Sequence, residues 1–187
     1  GPVSSRPMRI GSGRWRNALL PPVGRGVRPV SSRLRQSLFT VLAPWVEGAA
    51  VLDLCAGVGA LGLEALSRGA ARVVLVERDR RAAEALRQWV TDRGAREAQV
   101  VEGDARGGIW PEGPYDLVFL DPPFEIHDDP NALFPFLVRA VADLAKEGVV
   151  AVKLPSAAAV PVDPRWAARA RREHGDVAYV LVTHPDA

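Results

Sequence analysis

From residue 49 the chain repeats one pattern: a short apolar run, then a stretch with helical spacing. Ala50–Leu54, Arg72–Glu77, Ala98–Val101, Tyr115–Asp121 and Val149–Leu154 are five such runs. Ala60–Arg68, Asp79–Thr91 and Asn131–Ala145 carry the helical spacing, the second with Ala82, Ala85, Leu86 and Trp89 on one side. Strands that are apolar throughout are buried on both faces, which requires a mostly parallel sheet sandwiched between helices. The tail departs from this. Trp166–Arg172 and Val177–Thr183 lie close together around Gly175, as the arms of an antiparallel hairpin do. The pattern predicts an α/β fold: a Rossmann-like, mostly parallel seven-stranded sheet with an antiparallel edge hairpin. The Pro- and Ala-rich stretch 155–164 is a loop within it, and no internal repeat is present.

A chain of 187 residues, 48% hydrophobic, supports one core. No uninterrupted apolar run of about 18 residues predicts a membrane span, and no signal-peptide core precedes Met8. Residues 1–7 are set aside from the fold reading. The single cysteine, Cys55, excludes an intrachain disulfide and fits a cytoplasmic protein.

The net charge of +2 hides an asymmetry. Residues 1–46 hold eight arginines and no acid, whereas 47–187, with 16 basic and 22 acidic residues, stand at −6. An arginine-rich proteome explains the shortage of lysine (Lys146 and Lys153 alone), but not the missing acids. A polyanion docking on the first 46 residues explains the arginines without acids there. Residues 8–30 predict a hairpin or loose arm held by Trp15. Ser31 or Ser32 then caps a helix to about Leu42, with Leu34, Leu38, Val41 and Leu42 facing the body and Arg33 and Arg35 pointing elsewhere. The division is thus 1–46, a basic arm and helix that is not an independent domain, and 47–187, the main domain. Arg14, Arg16, Arg28, Arg33 and Arg35 are expected on phosphates, with Trp15 either in the core or on the nucleic acid. No apolar stripe is evident for self-association, which predicts a monomer.

The segment Val51–Gly62 leaves a strand and enters a helix. Gly57 and Gly59 are expected to let its backbone approach a ligand. Glu77 ends the next strand, 20 residues after Gly57, where a carboxylate can take both hydroxyls of a ribose. Asp104, after the third strand, can accept from an adenine amino group. Ala56, Arg78 and Ala105 complete the candidate cofactor wall. Gly57-x-Gly59-x-x-Gly62 with Glu77 also matches a dinucleotide fingerprint. However, Asp53 at the strand end suits a cationic ammonium or sulfonium ligand and repels a pyrophosphate, and there is no room for a separate substrate domain.

The fourth strand ends in Asp121-Pro122-Pro123-Phe124. Prolines stiffen this turn, and Pro122 offers a carbonyl without an N–H. The Asp121 carboxylate and the Pro122 carbonyl form a rigid acceptor pair for an exocyclic amino group, whose lone pair is thereby turned toward an electrophilic methyl. Phe124 can stack on the base, worth ~1–3 kcal/mol in comparable contacts. Positioning and fixed dipoles then carry the catalysis. His127, His174 and His184 are scattered, so no metal site is expected.

The residues Asp53–Gly62 and their continuation Leu63–Ala70, followed by Asp121–Phe124, resemble the bacterial 16S rRNA guanine-N2 methyltransferases of the RsmD family. Gly13-Arg14-Trp15-Arg16 and the stretch Arg28-Pro29 through Arg33–Phe39 resemble that family's arm. The likeness spans about Met8 to Leu154 and implies a class I methyltransferase sheet. It further implies S-adenosylmethionine as donor, and a guanine N2 of 16S rRNA, in partly assembled 30S particles, as acceptor. Ser32, Gln36, Cys55, Val58 and Glu173-His174 depart from the family pattern. Three alternatives stand beside it: an adenine-N6 methyltransferase on DNA or RNA, an NAD-dependent oxidoreductase, and a non-enzymatic RNA-binding assembly factor.

Overall fold

The computed structural model describes residues 7–24, 29–122 and 129–187. Strands β1 (Ala50–Leu54), β2 (Arg72–Glu77), β3 (Ala98–Glu102), β4 (Tyr115–Leu120), β5 (Leu144–Pro155), β6 (Ala167–His174) and β7 (Val177–Thr183) form one seven-stranded sheet. Its order is β3-β2-β1-β4-β5-β7-β6, parallel through β5, with β7 antiparallel to β5 and β6 antiparallel to β7. The last strand is thus threaded between β5 and the edge strand β6.

Helices α1 (Ser32–Leu42), α2 (Gly62–Ser67) and α3 (Arg80–Asp92) pack with the arm on one face, around Leu38, Phe39, Leu63, Leu86, Leu75 and Phe119. Helix α4 (Pro130–Ala142) covers the other, where Leu137 and Ala140 meet Leu54, Val118 and Val150. Ser31 caps α1 by accepting from the Leu34 N–H, and Asp79 caps α3 by accepting from the Ala82 N–H. Both are local bonds, and the sequence announces both ends.

The differences from expectation are informative. Helix α2 starts at Gly62 rather than Ala60, because the Asp53 carboxylate of β1 accepts from the Gly62 N–H at 2.9 Å. Strand β5 begins at Leu144, where the sequence predicts helix. Pairing of Tyr115 with Leu144, followed by a register shift before Leu117, draws those residues into the ladder.

The arm is a short hairpin. Arg9 and Leu19 form an antiparallel bridge, and the Leu20 N–H donates to the Met8 carbonyl. Met8, Ile10 and Leu20 join the same core cluster as α1 and α2. Its anchor is Glu64 of α2, fully buried, which accepts from the Gly11 and Ser12 N–H groups and from Arg68 Nε. Ser67 adds an accepted bond from the Trp15 N–H and a donated one to the Ser12 carbonyl.

Candidate active site

The ends of β1, β2, β3 and β4 converge at the carboxyl edge of the sheet, where a parallel sheet leaves a crevice for ligands. The Ala56 N–H donates to the Val76 carbonyl, bending the chain over β2 as it leaves β1. Glu77 closes the loop from below: Oε1 accepts from the Gly57 N–H at 2.9 Å and Oε2 from the Asp79 N–H at 2.8 Å. A ribose there would meet a carboxylate already oriented by the backbone, with lone pairs to spare.

The three loop glycines do different work. Gly57 has φ +58, and a Cβ there would meet nothing within 4 Å, so the chain is open beside it. Gly59 has φ +77, and its Cβ would fall 2.7 Å from the Leu63 side chain and 2.9 Å from Leu86. At Gly62 a Cβ would sit 2.8 Å from Asp53 Oδ2. At Gly59 the missing side chain makes room for Leu63 and Leu86 of the core. Gly57 is the position with free space, and the site fits a cofactor lying over that turn.

Asp53 is also placed differently from the sequence reading. It is 2% exposed, beneath the loop rather than facing out of it, and holds the start of α2. Burial raises its carboxyl to about 8; the Gly62 N–H works against this, and the charges of Asp121 and Glu77 add to it. Asp104 caps a 3-10 turn over Ala105–Gly107 and is gripped by Arg106, whose Nε and Nη2 both donate to it. Those bonds hold the half-exposed Asp104 carboxyl below the usual range. Ala105 is buried under it. Arg78 is exposed just past Glu77, with its charge felt at both Cys55 and Asp104. Burial pushes the Cys55 thiol up to about 12, which makes it a packing group rather than a nucleophile.

At the end of β4, the Asp121 N–H extends the ladder to the Leu54 carbonyl, which sets Asp121 beside the exit of β1. Its Oδ2 lies 3.4 Å from Lys153 Nζ. Pro122 follows, buried. Phe124 and Arg28 lie outside the described residues. Two open clefts of about 490 and 350 Å³ flank the arm, lined by residues such as Phe39, Glu47 and Arg9, and neither contains Glu77, Asp104 or Asp121.

The arm residues separate. Arg14, Arg16 and Arg33 are exposed. The guanidinium of Arg14 covers Trp15 at 4.3 Å and Trp15 packs edge-on against Trp89 at 5.6 Å, so Trp15 is half in the core. Arg35 does not point away from the body. It is 5% exposed, its Nη2 donates to the Arg9 carbonyl and its Nε lies 3.7 Å from Glu64. The expected phosphate contact is therefore corrected to a buried clamp between α1, α2 and the arm. The helix face is wider than the apolar residues alone define: Phe39 draws position 35, one turn before it, inward.

Sequence reasoning passed over Lys153, Tyr179 and Glu64. A lysine inside the otherwise apolar run Val149–Leu154 was the signal for the first. Nothing local marks the second. For Glu64, an acid four residues before Arg68 reads as an ordinary surface pair.

Comparison with known proteins identifies the family of the chain. A family profile described as Conserved hypothetical protein 95 matches residues 8–183. The Escherichia coli K12 protein named ribosomal RNA small subunit methyltransferase D is 37% identical over 180 residues, covering 93% of this chain and 88% of its own. The Haemophilus influenzae protein of that name is 34% identical over 132 residues, 67% of this chain and 68% of its own. A solved E. coli structure, described provisionally as the methyltransferase yhhF, superposes with a TM-score of 0.81 at 36% identity, covering 96% of this chain and 98% of that one. With its Rossmann-like seven-stranded sheet and a match over nearly its whole length, the chain belongs to the Conserved hypothetical protein 95 family, the RsmD family of methyltransferases.

Proposed function

We propose that this protein transfers a methyl group from S-adenosylmethionine to the exocyclic N2 of a guanine in 16S rRNA, acting as a cytoplasmic monomer on 30S particles. The observation that carries the reading is the convergence of Glu77, Asp104 and Asp121 at successive strand ends around the open turn at Gly57. The names of the relatives, which specify small-subunit ribosomal RNA, support the substrate class. The donor, when bound, supplies an electrophilic methyl on a sulfonium. Glu77 would hold its ribose, Asp104 and Arg78 would flank its base, and the Gly57 backbone would lie against it. Asp121 would accept from the amino group, keep its lone pair out of the base plane and take up the proton released after transfer. The described residues contain no group able to hold a metal ion.

The test is incubation with methyl-labelled donor and undermethylated 30S particles, followed by nucleoside mass analysis. N2-methylguanosine is expected, and N6-methyladenosine as sole product overturns the base assignment. Asp121→Ala should slow turnover about a hundredfold or more while S-adenosylhomocysteine still binds. Full activity in that variant removes Asp121 from the chemistry.

A further inference from the structure

We infer that Lys153 is a positioning residue for the acceptor carboxylate, fixing one oxygen of Asp121 and keeping it ionised among neighbouring acids. The inference rests on the proposed role of Asp121.

Register places the pair. Phe119 lies beside Ala151 and Leu120 beside Val152, so the next step of the same ladder sets Asp121 beside Lys153. Lys153 is in turn opposite Tyr179, and Tyr179 opposite Arg172. One transverse row thus crosses β4, β5, β7 and β6 on the face that holds Phe119 and Ala151. In it the Lys153 ammonium, 19% exposed, reaches Asp121 Oδ2 at 3.4 Å. Arg172 turns away to the Arg171 carbonyl. The Tyr179 hydroxyl is buried and makes no hydrogen bond among the described residues.

Three groups near Asp121 are acids or acid-forming, namely Asp53, the Cys55 thiol and Tyr179, and each responds to its charge. Such a cluster draws protons, as Asp53 already does. A protonated Asp121 would be a weaker acceptor for an amino group and could not receive its proton. Among the described residues, Lys153 is the cation at ion-pair distance from that carboxylate. A charge inside an apolar strand is costly unless paired, and this pairing engages Oδ2 of Asp121. The chain uses lysine at two positions against 22 arginines.

The experiment is the pH–rate profile of methyl transfer to undermethylated 30S particles for the unmodified protein, Lys153→Met and Lys153→Arg, with RNA KM and melting recorded alongside. For Lys153→Met the acid limb should move up by about one pH unit, so that the rate well below the limb's midpoint falls by up to about tenfold, with RNA KM unchanged. Lys153→Arg should keep most of the original limb. An unmoved limb overturns the inference, as does a loss confined to RNA KM or one equal at every pH with lowered melting. If Asp121→Ala abolishes transfer while Lys153→Met keeps the original profile, only the role of Lys153 falls. If the unmodified protein methylates no RNA, both readings fall.

Discussion

At the residue scale, the cost of placing acids under a ligand loop is concentrated in Asp53. Its carboxyl stands at about 8 in the folded protein, against an ordinary value of 3.8, because it is buried. The native state therefore holds a proton there that the unfolded chain releases. Between those two values, stability falls as pH rises, and above about 8 this contribution is flat. Asp53→Asn keeps an acceptor for the Gly62 N–H and removes the titration. Urea midpoints measured from pH 4 to 8 should decline less steeply in the variant than in the parent, and an unchanged decline would assign the slope to other groups. Serine 31 and Asp79 are opposite cases: each cap bonds a backbone N–H three residues on, so each was readable from the chain alone. Arg35 was not, because its partner Glu64 comes 29 residues later, on another helix.

At the element scale, α2 links the turn at Gly57 and Gly59 to the arm. It starts on Asp53 and Gly62, and its Glu64 and Ser67 hold Gly11, Ser12 and Trp15. Removing one partner of a buried ion pair leaves the other uncompensated, at a cost of about 3–5 kcal/mol. Glu64→Ala should lose that much in chemical denaturation, and adding Arg35→Met should recover part of it. Strict additivity of the two losses would show that the guanidinium and carboxylate are not coupled. The strand and helix order was legible because burial on both faces leaves continuous apolar runs. The start of β5 was not, since Leu144–Glu147 joins the sheet only through a register shift that local composition does not encode. Likewise Gly57 and Gly59 look alike in sequence, and only the packing of Leu63 and Leu86 separates a turn with space from a turn without it.

At the scale of the whole molecule, the basic arm spans two edges of the sheet. The Arg14 N–H donates to the Ser67 carbonyl at the far end of α2, and its guanidinium pairs with Glu97 just ahead of β3. That is the edge opposite Asp121. Arg33 lies in the first turn of α1, whose cap Ser31 meets His174 Nδ1 at 3.2 Å where β6 ends, on the same edge as Asp121. Measured along the strands the separation is about one strand length, roughly 17–20 Å, and β3 and β6 are also the two outer strands of the sheet. An RNA that touches both must be extended or folded over the arm, which fits a ribosomal particle better than a short hairpin. Arg33→Ala should lower the salt slope of binding by about one for both substrates. A double substitution of Arg14 and Arg16 should do so for 30S particles alone. Filter binding at several salt concentrations reads both, and equal effects on a short hairpin would place Arg14 and Arg16 nearer the methylated base.

The insertion of β7 between β5 and β6 has a consequence for synthesis of the chain. Every residue proposed to hold donor or acceptor is made before Val177, yet the ladder that braces Lys153 is completed by the segment that follows it. A nascent polypeptide halted at residue 175 would carry the whole chemical apparatus with the long flank of β5 unpaired and β6 without a neighbour. Such truncations should therefore aggregate through that bare seam rather than persist as small working enzymes.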